Sequence, residues 1–375
     1  MFHSSPSARR LFPGLLLGLV TLQGCGRLTP HQAREYVYVW ARGTYLRDRV
    51  AAVSNRVAEV SNGQRLQVVE HGRRFLKVRT DKGETGWIED HGVIDQQTYD
   101  KFTQLATDNA STPVVATAVL RDDYWLRDAP GRTSDRFYLL PENDKLQLLK
   151  RASVPRPVPP QALPVPLEKP VSRTNADPAP TPPPPALEDY WLIRDGGGRV
   201  GWVRARTLDE DVPDAIAGLA EGQKIVGAYV LRKVNDPDAN VPGNQVAEYV
   251  AFLSQWKDGL PYDFDQVRVF TWNTKKHRYE TAYRERNLVG YLPVTVKEAS
   301  SENQEPPTFS FRVAASDQVA LDSQTGMVNP GDTVKESFRL DGVLVHREGA
   351  PPPQRMAAAA PASSPRRGKP HRKHR

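Results

Sequence analysis

The sequence predicts an all-β protein: two small barrel-like units, then a larger antiparallel β-domain, a barrel or a sandwich. Three observations carry this. Short apolar runs recur between turn residues such as Ser61-Asn62-Gly63 and Asp81-Lys82-Gly83. The first set of runs is repeated downstream in register. Beyond Lys224 the pattern of short alternating or apolar runs continues to about Glu348.

The repeat is read residue by residue. Tyr45-Leu46-Arg47-Asp48 recurs as Trp125-Leu126-Arg127-Asp128, and Leu66-Gln67-Val68-Val69 as Leu146-Gln147-Leu148-Leu149, both at an offset of 80. Phe75-Leu76-Lys77-Val78-Arg79 recurs as Tyr190-Trp191-Leu192-Ile193-Arg194, and Gly86-Trp87-Ile88 as Gly201-Trp202-Val203, now at 115. One unit is therefore duplicated, and the second copy carries 35 extra residues after Leu149. The insertion, about 151–187, is dominated by proline. Proline removes ladder donors and fixes φ, so from Val154 to Ala186 neither strand nor helix is expected, but an extended polyproline-type loop. Such a loop is tolerated at a surface turn between strands. The first copy has only Glu70-His71-Gly72-Arg73-Arg74 there.

Within the first unit, strands are expected at Val37–Trp40, Val57–Val60, Arg65–Val69, Phe75–Arg79 and Gly86–Ile88. Five short strands in about 60 residues suggest a small barrel. Tyr99, Phe102 and Leu105 stand at helical spacing, predicting a linking helix over Gln96–Asn109. In the third region, strands are expected at Ile225–Leu231, Glu248–Trp256, Gln266–Trp272, His277–Arg284, Asn287–Val296, Thr308–Val313 and Val334–His346. Asn273–Lys276 and Asn329–Asp332 read as hairpin turns.

An early Leu-Arg, a central apolar strand and then Gly-Trp-Ile/Val, over Tyr36–Asp95 and again over Val114–Asp209, resemble the bacterial SH3 domain. The family often has Asn-Val-Arg-x-Gly-Pro where this chain has Tyr-Leu-Arg-Asp-Arg and Trp-Leu-Arg-Asp-Ala-Pro. Only the second copy has the Pro-Gly turn, at Pro130-Gly131. The resemblance implies binding of peptidoglycan or peptides.

The amino terminus supplies the compartment. Arg9 and Arg10 precede a short apolar run, Leu11–Val20, and then Leu22-Gln23-Gly24-Cys25. The run is shorter than the roughly 20 apolar residues a spanning helix needs, so it reads as a secretory signal. The closing four residues resemble the lipobox of bacterial lipoproteins, which implies an acylated Cys25 as the new amino terminus. Cys25 is the only cysteine. Gly26 rather than Asp follows it, which implies the outer membrane, facing the periplasm, if the organism is Gram-negative. Two or more acyl chains anchor stably where one does not.

Charge argues against nucleic acid as partner. The chain carries 51 basic and 44 acidic residues. Seven of the basic ones lie in Ala350–Arg375, which has no acid, and two lie in the signal. The folded body is therefore near neutral. The tail, rich in Pro, Ala and basic residues, is expected to be disordered, and it suits anionic envelope surfaces.

The expected order is signal 1–24, anchor linker 25–35, unit 36–95, helical linker 96–112, unit 113–212, β-domain 213–348 and basic tail 349–375. No catalytic set is legible. Asp263-Phe264-Asp265 lacks the glycine and terminal Glu of a calcium loop and reads as a turn. Gly196-Gly197-Gly198 reads as a hairpin turn. His31, His71, His91, His277 and His346 show no metal spacing, so no metal or cofactor is expected. What remains is recognition by aromatic side chains. Tyr38, Trp40 and Tyr45 in the first unit, and Tyr124, Trp125 and Trp191 in the second, are the candidate ligand-binding residues. Trp87 and Trp202, fixed behind a glycine, are assigned to structure. The expected function is a non-enzymatic envelope lipoprotein binding peptidoglycan or peptides. The alternative is an envelope scaffold or assembly factor that binds proteins through its C-terminal β-domain.

Overall fold

A computed structural model describes residues 34–157, 185–299, 305–316 and 319–349. Cys25, the bulk of the proline-rich insertion and the basic tail lie outside the described residues. The fold is nearly all β, as the sequence predicts.

The first unit contains β1 (Tyr36–Val39), β2 (Gly43–Arg47), β3 (Arg56–Ser61), β4 (Arg65–His71), β5 (Phe75–Arg79), β6 (Thr85–Glu89) and β7 (Val93–Asp95). They pair antiparallel in the order β3-β2-β6-β5-β4-β1-β7. Helix α1 (Gln96–Asp108) follows, capped by the Asp95 carboxylate, which accepts the Thr98 amide at 2.8 Å. The second unit contains β8 (Ala116–Leu120), β9 (Tyr124–Arg127), β10 (Arg136–Leu140), β11 (Lys145–Pro155), β12 (Leu187–Arg194), β13 (Val200–Arg204) and β14 (Leu208–Glu210). Its order is β10-β9-β13-β12-β11-β8-β14. Every strand stands seven places after its counterpart, so the two units share one topology.

The repeated positions are core positions. Leu46 and Leu126, Leu66 and Leu146, Val78 and Ile193, and Ile88 and Val203 are all buried. The repeat thus preserves the residues that alternate inward along each strand. Two strands, β2 and β7, lie outside the expected runs; apart from Leu46 their residues are exposed or only partly buried. The insertion leaves from the β11–β12 hairpin, but strand pairing runs further than expected. Val154 pairs with Glu188 and Pro155 with Leu187. Pro155 is tolerated because it is the last residue of its strand.

The third region begins with the single-turn helix α2 (Asp214–Ala217). Its strands are β15 (Lys224–Asn235), β16 (Gln245–Ser254), β17 (Phe264–Asn273), β18 (Arg278–Lys297), β19 (Thr308–Ala314), β20 (Ala320–Leu321), β21 (Val328–Asn329), β22 (Thr333–Asp341) and β23 (Leu344–Glu348). Seven form one antiparallel meander, β15-β16-β17-β18-β19-β22-β23, while β20 and β21 pair separately. Two expected boundaries change. The expected runs His277–Arg284 and Asn287–Val296 merge, from Arg278 onward, into the single long strand β18. Val334–His346 is a hairpin, turned at Gly342, whose φ is +59°. Ladder hydrogen bonds close none of the three seven-stranded sheets into a ring among the described residues.

Both faces of this sheet are covered, which explains the continuous apolar run in β16. Ala251 and Leu253 pack with Ile216 of α2, while Val250 and Phe252 face a second cluster. That second cluster is continuous across the molecule, from Tyr38 and Phe102 through Leu126 and Trp191 to Phe252 and Phe338.

Candidate functional site

A groove of about 430 Å³ opens where the first unit meets the second. Its walls come from the β1–β2 connection, from β2, from the end of β6 and its following turn, and from β9 of the second unit. Gly86 sets its geometry. A Cβ there would lie 2.7 Å from the Leu46 Cβ and 2.9 Å from the Arg47 carbonyl oxygen. Glycine therefore lets β6 lie tight on β2, with Trp87 paired across from Arg47. The same relation holds in the second unit, where a Cβ at Gly201 would meet the Leu126 Cβ at 2.9 Å. This close approach is the physical reason for the Gly-Trp pair.

Four rings line the groove: Trp40, Tyr45, Trp87 and Trp125, each half-buried. Trp40 and Trp125 meet across the unit boundary with centroids 5.0 Å apart. The Arg136 guanidinium lies 5.0 Å from the Trp40 ring, and that of Arg56 lies 4.0 Å from the Tyr45 ring. The Trp40 indole N–H donates to the His91 carbonyl, and Arg42 pairs with Asp123 of the second unit. Glu89 lies 2.9 Å from His91. The unit boundary is held further by Asn62, whose amide donates to the Phe137 carbonyl at 3.0 Å and accepts the Leu139 amide at 2.9 Å.

Three of the six sequence-nominated residues, Trp40, Tyr45 and Trp125, thus meet in one groove. The other three do not. Tyr38 is core: it stacks on Tyr99 at 3.8 Å and donates to Gln96 at 2.9 Å. Burial pushes its phenol pKa up. Tyr124 is half-buried against the central cluster. Trp191 is buried and lines a different cleft.

Trp87 corrects the sequence reading, which assigned it to structure along with Trp202. Trp202 is indeed buried, in a cluster packed by Leu105 and Ala106 of α1. Trp87 holds the equivalent strand position, yet it faces the groove. The difference is the helix, which packs on β13. No local signal distinguishes the two tryptophans.

The cleft at Trp191, about 360 Å³, lies between the second unit and the third sheet. Arg151 spans it, with its side chain only 7% exposed. Its guanidinium donates to Asp189 at 3.0 Å, to Asp263 at 3.1 Å, and to the carbonyls of Leu260 and Tyr262. Asp263, read from sequence as part of a turn, is thus a buried tie; it also accepts the Leu292 amide at 2.9 Å. Burial and the nearby Asp189 push the Asp258 carboxyl up. Trp256 stands at this cleft 66% exposed.

One grouping could offer ligand atoms to a metal among the described residues, Asp236, Asp238 and His277, and the sequence spacing does not reveal it. Asp236 already accepts from the Trp272 indole at 2.7 Å, from His277 at 2.8 Å and from the Asp238 amide at 3.1 Å. It therefore ties the β17–β18 hairpin end to the chain after β15.

Comparison with curated proteins gives no match. Among solved structures, NlpC2 from Trichomonas vaginalis aligns at 10% identity and a TM-score of 0.15, over 68% of this chain and 98% of that one. An NlpC/P60 family protein from Bacillus cereus aligns at 10% identity and a TM-score of 0.21, over 67% and 99%. NlpC1 from Trichomonas vaginalis gives 10% and 0.15, over 69% and 95%. These likenesses are too slight to bear on activity. The first unit, which builds most of the groove, is different: residues 42–94 match the family model of the bacterial SH3 domain.

Proposed function

We propose that this chain is a non-enzymatic, lipid-anchored protein of the cell envelope. Its first SH3-like unit holds a peptidoglycan or peptide ligand in the aromatic groove. The observation that carries this is the gathering of four half-exposed rings on the unit that matches the bacterial SH3 family. Flat rings bind extended ligands by stacking, and partial exposure leaves them area to bury on binding. The Leu22–Cys25 lipobox supports the compartment. A stable acyl anchor keeps the groove within reach of the wall.

The test is retention of the mature, unlipidated protein on purified peptidoglycan sacculi. The tail-deleted protein should still be retained, and retained less after Trp87→Ala or Trp125→Ala. No retention of the tail-deleted protein removes the cell-wall ligand. Cys25→Ser should release the protein from the membrane fraction, and unchanged fractionation would refute the anchor.

A second reading, protein binding through the third sheet, draws support from Trp256, which leaves a large indole in water beside a cleft. Cross-linking in cells tests it: defined protein adducts lost in Trp256→Ala support it, and their absence refutes it.

A further inference from the structure

The aromatic groove offers indole N–H donors to a ligand. The Tyr45 hydroxyl and the indole N–H groups of Trp87 and Trp125 have no hydrogen-bond partner among the described residues. Several nearby acceptors, by contrast, already have a partner. The His91 carbonyl takes the Trp40 indole N–H, Asp123 takes Arg42 and the Glu142 amide, and Glu89 pairs with His91. A fitting ligand brings flat apolar surface and free carbonyl acceptors, and few N–H donors. An ordinary peptide brings an N–H at every residue, each needing an acceptor on burial. A polyproline helix brings carbonyls and ring faces, lacks the N–H at each proline, and is already extended before binding.

This chain carries a proline-rich segment itself. Proline supplies 13 of the 31 residues from Pro155 to Pro185, including Pro157-Val158-Pro159-Pro160 and Pro180-Thr181-Pro182-Pro183. Residues 158–184 are 27 residues leaving and re-entering the β11–β12 hairpin. At about 3.1 Å per residue, a doubled-back segment of that length reaches roughly 40 Å. That exceeds the roughly 27 Å diameter expected of a 60-residue unit.

We propose that residues 158–184 are an intrinsic ligand of the aromatic groove and compete there with external ligands. This rests on the reading of the groove as a binding site, and it adds the occupant and its regulation.

The test uses a full chain in which 158–184 is replaced by a short Gly-Ser turn. The first unit joins the equivalent strands through Gly72-Arg73-Arg74, so this topology accommodates a short turn. A synthetic peptide of residues 155–185 is titrated calorimetrically into this variant. Saturable binding is expected, weakened about tenfold by Trp87→Ala or Trp125→Ala, the scale of a central aromatic contact. The shortened chain should also be retained on sacculi more strongly than the intact one. No saturable peptide binding, or equal binding by the Trp87→Ala variant, overturns the proposal. If the shortened chain still holds sacculi while ignoring the peptide, only this proposal falls. If it holds neither, the reading of the groove falls with it. Should shortening impair folding, the intact chain gives the answer. Tryptic cleavage after Arg173 should be several-fold faster in Trp87→Ala than in the parent, and equal rates overturn the proposal.

Discussion

Replacing Arg151 with methionine removes the charge that joins the second unit to the third sheet. The side chain is 7% exposed and makes four hydrogen bonds, two of them to the carboxylates of Asp189 and Asp263, themselves 9% and 10% exposed. Removing one partner of a buried charge network costs about 3–5 kcal/mol, mostly because the remaining charges stay buried without compensation. Some compensation survives here. Asp189 keeps the Ser153 hydroxyl and the Gly259 amide, and Asp263 keeps the Leu292 amide. The lower end, about 3 kcal/mol, is therefore expected. It should appear in urea unfolding followed by tryptophan fluorescence, because Trp191 and Trp256 flank the cleft that Arg151 spans. Adding Asp189→Asn and Asp263→Asn to Arg151→Met should restore at least about 1 kcal/mol, since the stranded charges are then gone. A loss below about 1 kcal/mol for Arg151→Met, or a triple variant no better than the single, would refute the reasoning.

Gly86→Ala and Gly201→Ala should each cost about 1–3 kcal/mol, because the added methyl meets a neighbouring Cβ at 2.7 Å and 2.9 Å; an unchanged melting temperature in either variant contradicts this. Asn62→Ala should leave the Phe137 carbonyl and Leu139 amide of β10 short of a partner, cost about 1–3 kcal/mol and hasten exchange at the Leu139 amide; exchange at the parent rate sinks that account. The buried Glu188 carboxyl is held down at about 2, from an ordinary 4.5, chiefly by its hydrogen bonds from Arg132, with Tyr190 and Arg204 adding to the effect. A depressed carboxyl stabilises the fold fully above pH 4.5, and the contribution is lost as pH falls towards 2. It amounts to about 3 kcal/mol. Urea midpoints of the parent and Glu188→Gln should therefore converge between those limits, and a constant gap would show that the carboxylate's charge is not what matters.

The fold was largely legible because its signals are local. Short apolar runs between turn residues marked the strands at Phe75–Arg79 and Gly86–Ile88, and duplication doubled the signal. The helical spacing of Tyr99, Phe102 and Leu105 placed α1 to within a residue. Less was legible where strand ends are decided by neighbours. The tight Gly342 turn split one expected run into β22 and β23, and pairing along β17 and β19 merged two others into β18. The site was half legible. Aromatic side chains near strand ends suit either a core or a groove, and hydropathy scores them alike. Tyr38 went to the core because Tyr99 covers it, and Trp191 because the third sheet does.

By itself, the sequence determined the strand-rich class, the duplicated unit and the position of the insertion. These follow from periodicity and from residues whose backbone limits are intrinsic, such as the glycines at 86 and 201. Only the tertiary structure decided which of two equivalent tryptophans faces solvent, and that Asp263 answers to an arginine 112 positions away in the chain. Both depend on what packs across a boundary between units. No window of sequence contains that information, because burial is a property of the surface that arrives from elsewhere.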